Sequence, residues 1–400
     1  MRTVLLPTLS LLVAPLCAQG VVPPYQVSTT NPLPGLSVPA VPGTNVQQVH
    51  FVHLPSDPPN VFLCGLTVAG LGAGFGGAGG SDLLSGSYDV LTDTFTPNTE
   101  AAALNTTGTE FGLTIHHTGL YAVFDRLPGQ PWLASRAAVG MPWSIVGQIT
   151  ALPGQAYYDP SLADYNGQTY LLHVLGTDIA MTPINLSNAS LNGQPQVIIN
   201  AARAGATANS PTPILDPAGQ LIGVSHHDVL SSDNDHYMSM DFDPTTPAVL
   251  MNDTATWTNN GGFIGGRFFD AESSGVYHVF AIDTYWFTGG RGPVGGTMDI
   301  QAYTPPTSGS EIYFSFLLIG ASHLPVALPI GAFGSLGIDI STLVTLPFPA
   351  HNNMNGQTQF TLAIPNLAFL RGRSLAAQSA TLKSSTNEIR LGNTAGLHFD

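Results

Sequence analysis

Between about residues 46 and 305 the chain repeats one pattern of apolar and polar positions, with a period of roughly 50 residues. Each copy is an apolar strand, a short polar turn and a second apolar strand. The turns read Pro58-Pro59-Asn60, His117-Thr118-Gly119, Tyr165-Asn166-Gly167, Pro217-Ala218-Gly219 and Ser273-Ser274-Gly275. Apolar runs follow them, among them Val61-Phe62-Leu63, Leu120-Tyr121-Ala122-Val123-Phe124 and Val276-Tyr277-His278-Val279-Phe280. Asn or Gly at these points supplies the positive φ that a tight hairpin requires. No long stretch has a helical period, so the pattern predicts an all-β chain. Five copies of about four strands each predict a five-bladed β-propeller over 46–305.

The pattern changes at both ends. Arg2, the apolar run Val4 to Leu16 and the small residues around Cys17-Ala18 predict an export signal over 1–18, too short and Pro-interrupted to span a bilayer. A Pro-rich extended lead follows over 19–45. Thr304-Pro305-Pro306-Thr307-Ser308-Gly309-Ser310 reads as a linker, and the short strands of 311–400 predict a small C-terminal β-sandwich. The chain is therefore expected to be secreted or held at the cell surface.

Composition narrows the partners. The formal net charge is −15, and Lys383 is the only lysine, which argues against nucleic acid or an anionic membrane. Removal of the signal would leave Cys64 as the only cysteine, expected to be an inert core thiol. There is no Gly-x-Ser-x-Gly elbow, P-loop, His-Glu-x-x-His or Cys-x-x-Cys motif.

Strand direction sorts the ionisable residues. In a propeller, residues before the innermost strand and after the second strand of a blade share one face, and the hairpin turns lie on the other. One face should collect Glu110, Asp125, Arg126, Asp159, His173, His226, His227 and Asp228. The turn face should collect Asp57, His116, His117 and Asp164, with His116 and His117 expected to be structural.

Tyr158-Asp159-Pro160-Ser161 followed by Asn166-Gly167-Gln168-Thr169-Tyr170-Leu171 resembles the Asp-Pro-Ser opening and Asp-Gly-x-x-Tyr-Leu hairpin of the five-bladed propeller glycosidases, the arabinanase, xylosidase and fructosidase clan. Ser210-Pro211-Thr212-Pro213 echoes the opening one blade later. The resemblance implies a propeller fold and glycoside hydrolysis, with Asp159 matching the position of a carboxylate that tunes the catalytic acid. The chain departs from the family in having no Glu in the third and fourth blades. The C-terminal segment resembles the β modules of large secreted bacterial proteins, which implies surface attachment or carbohydrate contact.

Hydrolysis needs one protonated and one ionised carboxyl. Glu110 and Asp159 are the candidates, with His226 and His227 beside them as further catalytic candidates. Arg126, Asp125, Tyr237, Arg267 and His173 are candidates for binding substrate. The alternative enzyme is a lyase acting on a uronic-acid glycan, in which His226, His227, Tyr237 and Arg126 or Arg267 would neutralise the carboxylate and remove a proton. A third reading is a non-catalytic glycan-binding or adhesion protein. No cofactor is required by these readings. His226, His227, Asp228 and His236 form a candidate metal set, suited to Zn²⁺ or Mn²⁺, or to Ca²⁺ through its oxygen-rich part. The partner expected in every case is a carbohydrate.

Overall fold

The computed structural model describes residues 41, 43–54, 56–58, 61–89, 92–127, 129–150, 160–201, 205–215, 219–230, 233–239, 251–252, 261–265, 268–273, 276–281, 286–287, 289–304, 311–351 and 356–400. The expected export signal and nearly all of the Pro-rich lead lie outside these residues. Within them the regular structure is β, joined by five short 3-10 turns. No helix among the described residues is long and apolar enough to cross a membrane.

Five antiparallel sheets follow one another along the chain. The first is β1 (Asn45–Val52), β2 (Val61–Ala69), β3 (Ser81–Asp89) and β4 (Thr94–Asn98). The second is β5 (Glu110–Ile115), β6 (Tyr121–Arg126), β7 (Gln130–Ser135) and β8 (Ser144–Gln148). The third is β9 (Ser161–Tyr165), β10 (Gln168–Leu175) and β11 (Asp178–Asn185), with β12 (Ser190–Leu191) and β13 (Gln196–Ile199) both paired to β11. The fourth is β14 (Thr207–Leu215), β15 (Leu221–Leu230), β16 (Asp233–Ser239) and β17 (Met251–Asn252). The fifth shows β18 (Gly261–Gly265), β19 (Phe268–Ser273) and β20 (Val276–Ala281). First strands touch in succession, β1 with β5, β5 with β9, β9 with β14 and β14 with β18, and β18 returns to β1. The sheets thus form a closed, propeller-type ring with their first strands innermost.

Strand alternation explains why the sheets stack face to face. Ala122 and Phe124 of β6 enter an apolar layer with Leu63 and Leu83 of the first sheet, whereas Val123 between them enters a layer with Leu162 and Leu171 of the third. Leu172, one residue on, joins Val224 of the fourth sheet. Neighbouring residues of one strand are therefore buried in opposite layers, as a period of two requires. Cys64 is wholly buried in β2, and burial pushes its thiol well above the usual range.

Three of the innermost strands are kinked. The register shifts in β1 between Val46 and Gln48, in β5 between Phe111 and Thr114, and in β14 between Asn209 and Thr212. Such bulges bend a strand and re-aim its groups. Here they tie sheet to sheet. The Gly112 N–H donates to Thr67 Oγ1 at 3.0 Å, and the Ser161 hydroxyl donates to the Pro211 carbonyl at 2.6 Å. Ser210 in the β14 kink sits at φ +49°, a conformation costly for a non-glycine residue.

The C-terminal unit begins earlier than the Pro-rich linker suggests. β21 (Trp286–Phe287) and β23 (Thr297–Tyr303) form a three-stranded sheet with β28 (Gln357–Ala363), while β22 (Gly290–Gly292) pairs in parallel with β30 (Glu388–Phe399). The second sheet continues through β29 (Arg373–Lys383), β24 (Tyr313–Gly320) and β27 (Val344–Ala350), beside a hairpin of β25 (His323–Pro329) and β26 (Ser335–Ile338). Met298, Ile300 and Ala302 from one sheet and Leu317, Ala377 and Leu397 from the other share one apolar core, which makes the unit a sandwich. The expected boundary at 305–311 is corrected accordingly: residues 286–303 contribute to this sandwich and not to a blade. The unit is also docked on the ring. Ile214 of β14 enters its core, and the Arg291 guanidinium lies 5.0 Å from the ring centre of Tyr165 at the end of β9.

Candidate functional site

The strand-start end carries a buried ion pair. Glu110 opens β5 and Arg126 closes β6, and the two are register partners. Arg126 Nε donates to Glu110 Oε1 at 3.0 Å, and its Nη2 donates to the Leu104 carbonyl at 2.8 Å. Thr106 adds its hydroxyl at 2.5 Å and its N–H at 3.2 Å to the same carboxylate. The guanidinium lies 4.7 Å from the Trp132 ring centre and 5.6 Å from that of Phe124. Glu110 is fully buried within this network. Such an arrangement fastens the sheet edge, with Arg126 and Thr106 both engaged on the carboxylate.

Sequence reasoning passed over Asp82 of β3, which is buried nearby. Burial pushes its carboxyl up, against the Ala78 and Gly79 N–H groups, and the Glu110 charge adds to the rise. Asp125 is buried in β6. His173, expected to bind substrate, is fully buried inside the third sheet, with Nε2 2.8 Å from Thr182 Oγ1 and Nδ1 3.1 Å from the Val174 carbonyl. Burial pushes its imidazole below the usual range. This is a satisfied core histidine, and its polar atoms are engaged within the sheet.

The remaining candidates are distributed unevenly. Asp159 and Arg267 lie outside the described residues, as do the side chains of His227, Asp228, His236 and Tyr237. His226 is buried in β15. The β15–β16 register sets His226 opposite Tyr237, His227 opposite His236 and Asp228 opposite Asp235. Adjacent strand positions belong to opposite faces, so the four expected metal ligands are divided: positions 226 and 228 fall on one face, 227 and 236 on the other.

A tighter constellation sits at the turn end. His116 follows β5, His117 starts the hairpin turn, and Asp164 stands one residue before the end of β9. His117 Nε2 is 2.7 Å from Asp164 Oδ2, and His116 Nε2 is 3.3 Å from Oδ1. The two imidazoles are stacked at a tilt, with ring centres 4.3 Å apart. Thr118 Oγ1 lies 2.9 Å from His116 Nδ1, and the Thr169 hydroxyl donates to Asp164 Oδ1 at 2.6 Å. Local sequence builds both halves. Asn166 at φ +50° and Gly167 at φ +75° close the β9–β10 hairpin, which sets Thr169 opposite Asp164 in register. Gly219, just before β15, makes room for His117, since a Cβ there would stand 2.2 Å from Nδ1.

Burial pushes His116 below its usual range, against the pull of Asp164. Burial alone would raise Asp164, but the two imidazoles and Thr169 together hold its carboxyl well below the carboxylate range. The result is an ionised carboxylate facing two ring nitrogens, each of these groups being able to offer one ligand atom within 4.8 Å of the others. The sequence placed all three residues at the turn face and read the histidine pair as structural.

No known protein family matches the chain, and no curated protein matches it. Among solved structures it is similar to a mutant of the GH43 protein BlXynB from Bacillus licheniformis, at 8% identity and TM-score 0.38, covering 88% of this chain and 89% of that one. It is similar to the sialidase of Trypanosoma rangeli at 7% identity and TM-score 0.33, covering 88% of each chain. A third is the WD40 domain of SCAP from fission yeast, at 10% identity and TM-score 0.29, covering 93% and 90%.

Proposed function

We propose that the chain is an exported carbohydrate-active enzyme that hydrolyses a glycosidic bond at the strand-start end of the ring, with Asp159 as an essential carboxylate. The observation that supports this reading is the latch between Ser161 and Pro211. It joins the two Pro-containing openings that resemble the propeller glycosidases, one at the start of β9 and the other in the kink midway along β14. One of these strands holds Ser210 in a strained bulge, the kind of backbone that accumulates at functional sites. Glu110 and Arg126 shape the rim in this reading, and the C-terminal sandwich holds the enzyme at a surface or glycan.

Incubation of the mature protein with a panel of neutral and acidic polysaccharides, reading new reducing ends, tests it. Asp159→Asn keeps the side chain's size and removes its charge, so turnover should fall by a factor of about 10²–10⁴ with the fold retained. Products absorbing as unsaturated uronates would replace hydrolysis by elimination. Retention on a glycan column without cleavage would replace catalysis by binding.

A further inference from the structure

We propose that His116, His117 and Asp164 form a binding site for a divalent transition-metal ion of the Zn²⁺ class, joining the second and third sheets at the turn end. This site is independent of the glycan chemistry proposed for the opposite end. Two imidazoles and one carboxylate are a donor set for Zn²⁺, Mn²⁺ or Fe²⁺, whereas Ca²⁺ and Mg²⁺ prefer oxygen alone.

Three features carry the assignment. First, His116 is 2% exposed, and its Nε2 faces Asp164 Oδ1 at 3.3 Å in an ion-pair contact that falls short of good hydrogen-bond geometry. A buried ring nitrogen left in this state is normally satisfied by a proton partner or an ion. Second, the separations suit chelation. One ligand atom from each residue lies within 4.8 Å of the other two; the His116 nitrogen is 3.3 Å from Oδ1, close to the roughly 3.0–3.4 Å between atoms that share one metal, while the 2.7 Å from His117 to Oδ2 is a hydrogen bond that an ion would replace. Small rotations of His117 and the carboxylate would admit an ion.

Third, the outer partners are in place. Thr118 beside His116 Nδ1 can accept its proton and leave Nε2 as the lone-pair donor, and Thr169 fixes the carboxylate. Supporting hydrogen bonds of this kind orient metal ligands. His117 and Asp164 are 17% and 21% exposed, so an ion has access from solvent. Three protein ligands leave at least one coordination position open to water or a small anionic ligand.

The full-length protein, purified without a histidine tag and stripped with chelator, is titrated with ZnCl₂ by calorimetry and with CoCl₂ by visible absorbance. One equivalent should bind, with Co²⁺ d–d bands showing nitrogen and oxygen ligation. His117→Gln and Asp164→Asn should each weaken binding by at least about 100-fold, and Thr169→Val by about 10- to 100-fold. His323→Gln, in the C-terminal sandwich, should leave the isotherm unchanged. If the ligand variants do not fold, Thr169→Val decides, because it removes only one hydrogen bond to Asp164. Absence of uptake by the wild type, or unchanged affinity in His117→Gln, Asp164→Asn and Thr169→Val, overturns the assignment.

Discussion

Ser161, the first residue of β9, donates its buried hydroxyl to the Pro211 carbonyl in the kink of β14, 2.6 Å away and 50 residues later. The bond exists because a bulge turns that carbonyl out of its own ladder. Ser161→Ala would leave the carbonyl buried without this donor, at a cost of about 1–3 kcal/mol. Urea unfolding should show a lower midpoint with an unchanged slope. An unchanged midpoint would mean that the latch contributes nothing to closure of the ring.

Arg126 and Glu110 offer a sharper test of structural against ligand-binding duty. Arg126→Ala strands a fully buried carboxylate, and breaking such a pair costs about 3 kcal/mol. Glu110→Gln combined with Arg126→Met removes both charges and should recover most of that loss. A double-mutant cycle by chemical unfolding measures the coupling. If Arg126→Ala leaves stability intact, Arg126 is available to bind substrate.

Gly219 should tolerate no side chain. Its φ of +82° already disfavours an L residue, and a new Cβ would enter the His117 ring. Gly219→Ala is expected to destabilise by more than the roughly 1 kcal/mol of backbone strain alone. Thermal unfolding, compared with Gly167→Ala in the open β9–β10 turn, isolates the contact: Gly167 has nothing within 4 Å of its Cβ position. Equal losses for the two variants would show that the approach to His117 is soft.

Much of this fold is legible in the sequence because its signals are local. Asn166-Gly167 states the hairpin, and the alternation Ala122, Val123, Phe124 states that both faces of β6 are buried. Strand direction alone puts His116, His117 and Asp164 at the same end. Their convergence was not legible, since Asp164 lies 47 residues from His117 and their approach depends on the stacking of adjacent sheets. The domain boundary failed for a similar reason. Pro305-Pro306 looks like a linker, yet β23 before it pairs along its length with β28 more than 50 residues on. A pairing partner that far away leaves no mark on the local pattern. Asp82 escaped notice because its burial and the nearby Glu110 charge, 28 residues on, leave no mark on its own strand.

His351 makes the C-terminal sandwich sensitive to acid. Its ring is buried, with Nε2 2.7 Å from Ser315 Oγ and Nδ1 3.1 Å from the Gly356 carbonyl, while Tyr313 packs edge-on. Burial lowers its pKa to about 4, against about 6.5 in the unfolded chain. The native state therefore favours the neutral ring, and the unfolded state binds the proton first as pH falls. This contribution to stability is complete above about pH 6.5, declines between 6.5 and 4 by up to about 1.4 kcal/mol per unit, and levels off below. The total is on the order of 3 kcal/mol. His173 is shifted in the same direction and adds a loss of the same sign. Chemical unfolding of wild type and His351→Gln between pH 4 and 8 separates the two contributions, since only wild type has an imidazole at 351 to titrate. The difference in stability between the two proteins should grow from about pH 4 to about pH 6.5 and be flat above that. A pH-independent difference would show that His351 titrates alike in both states.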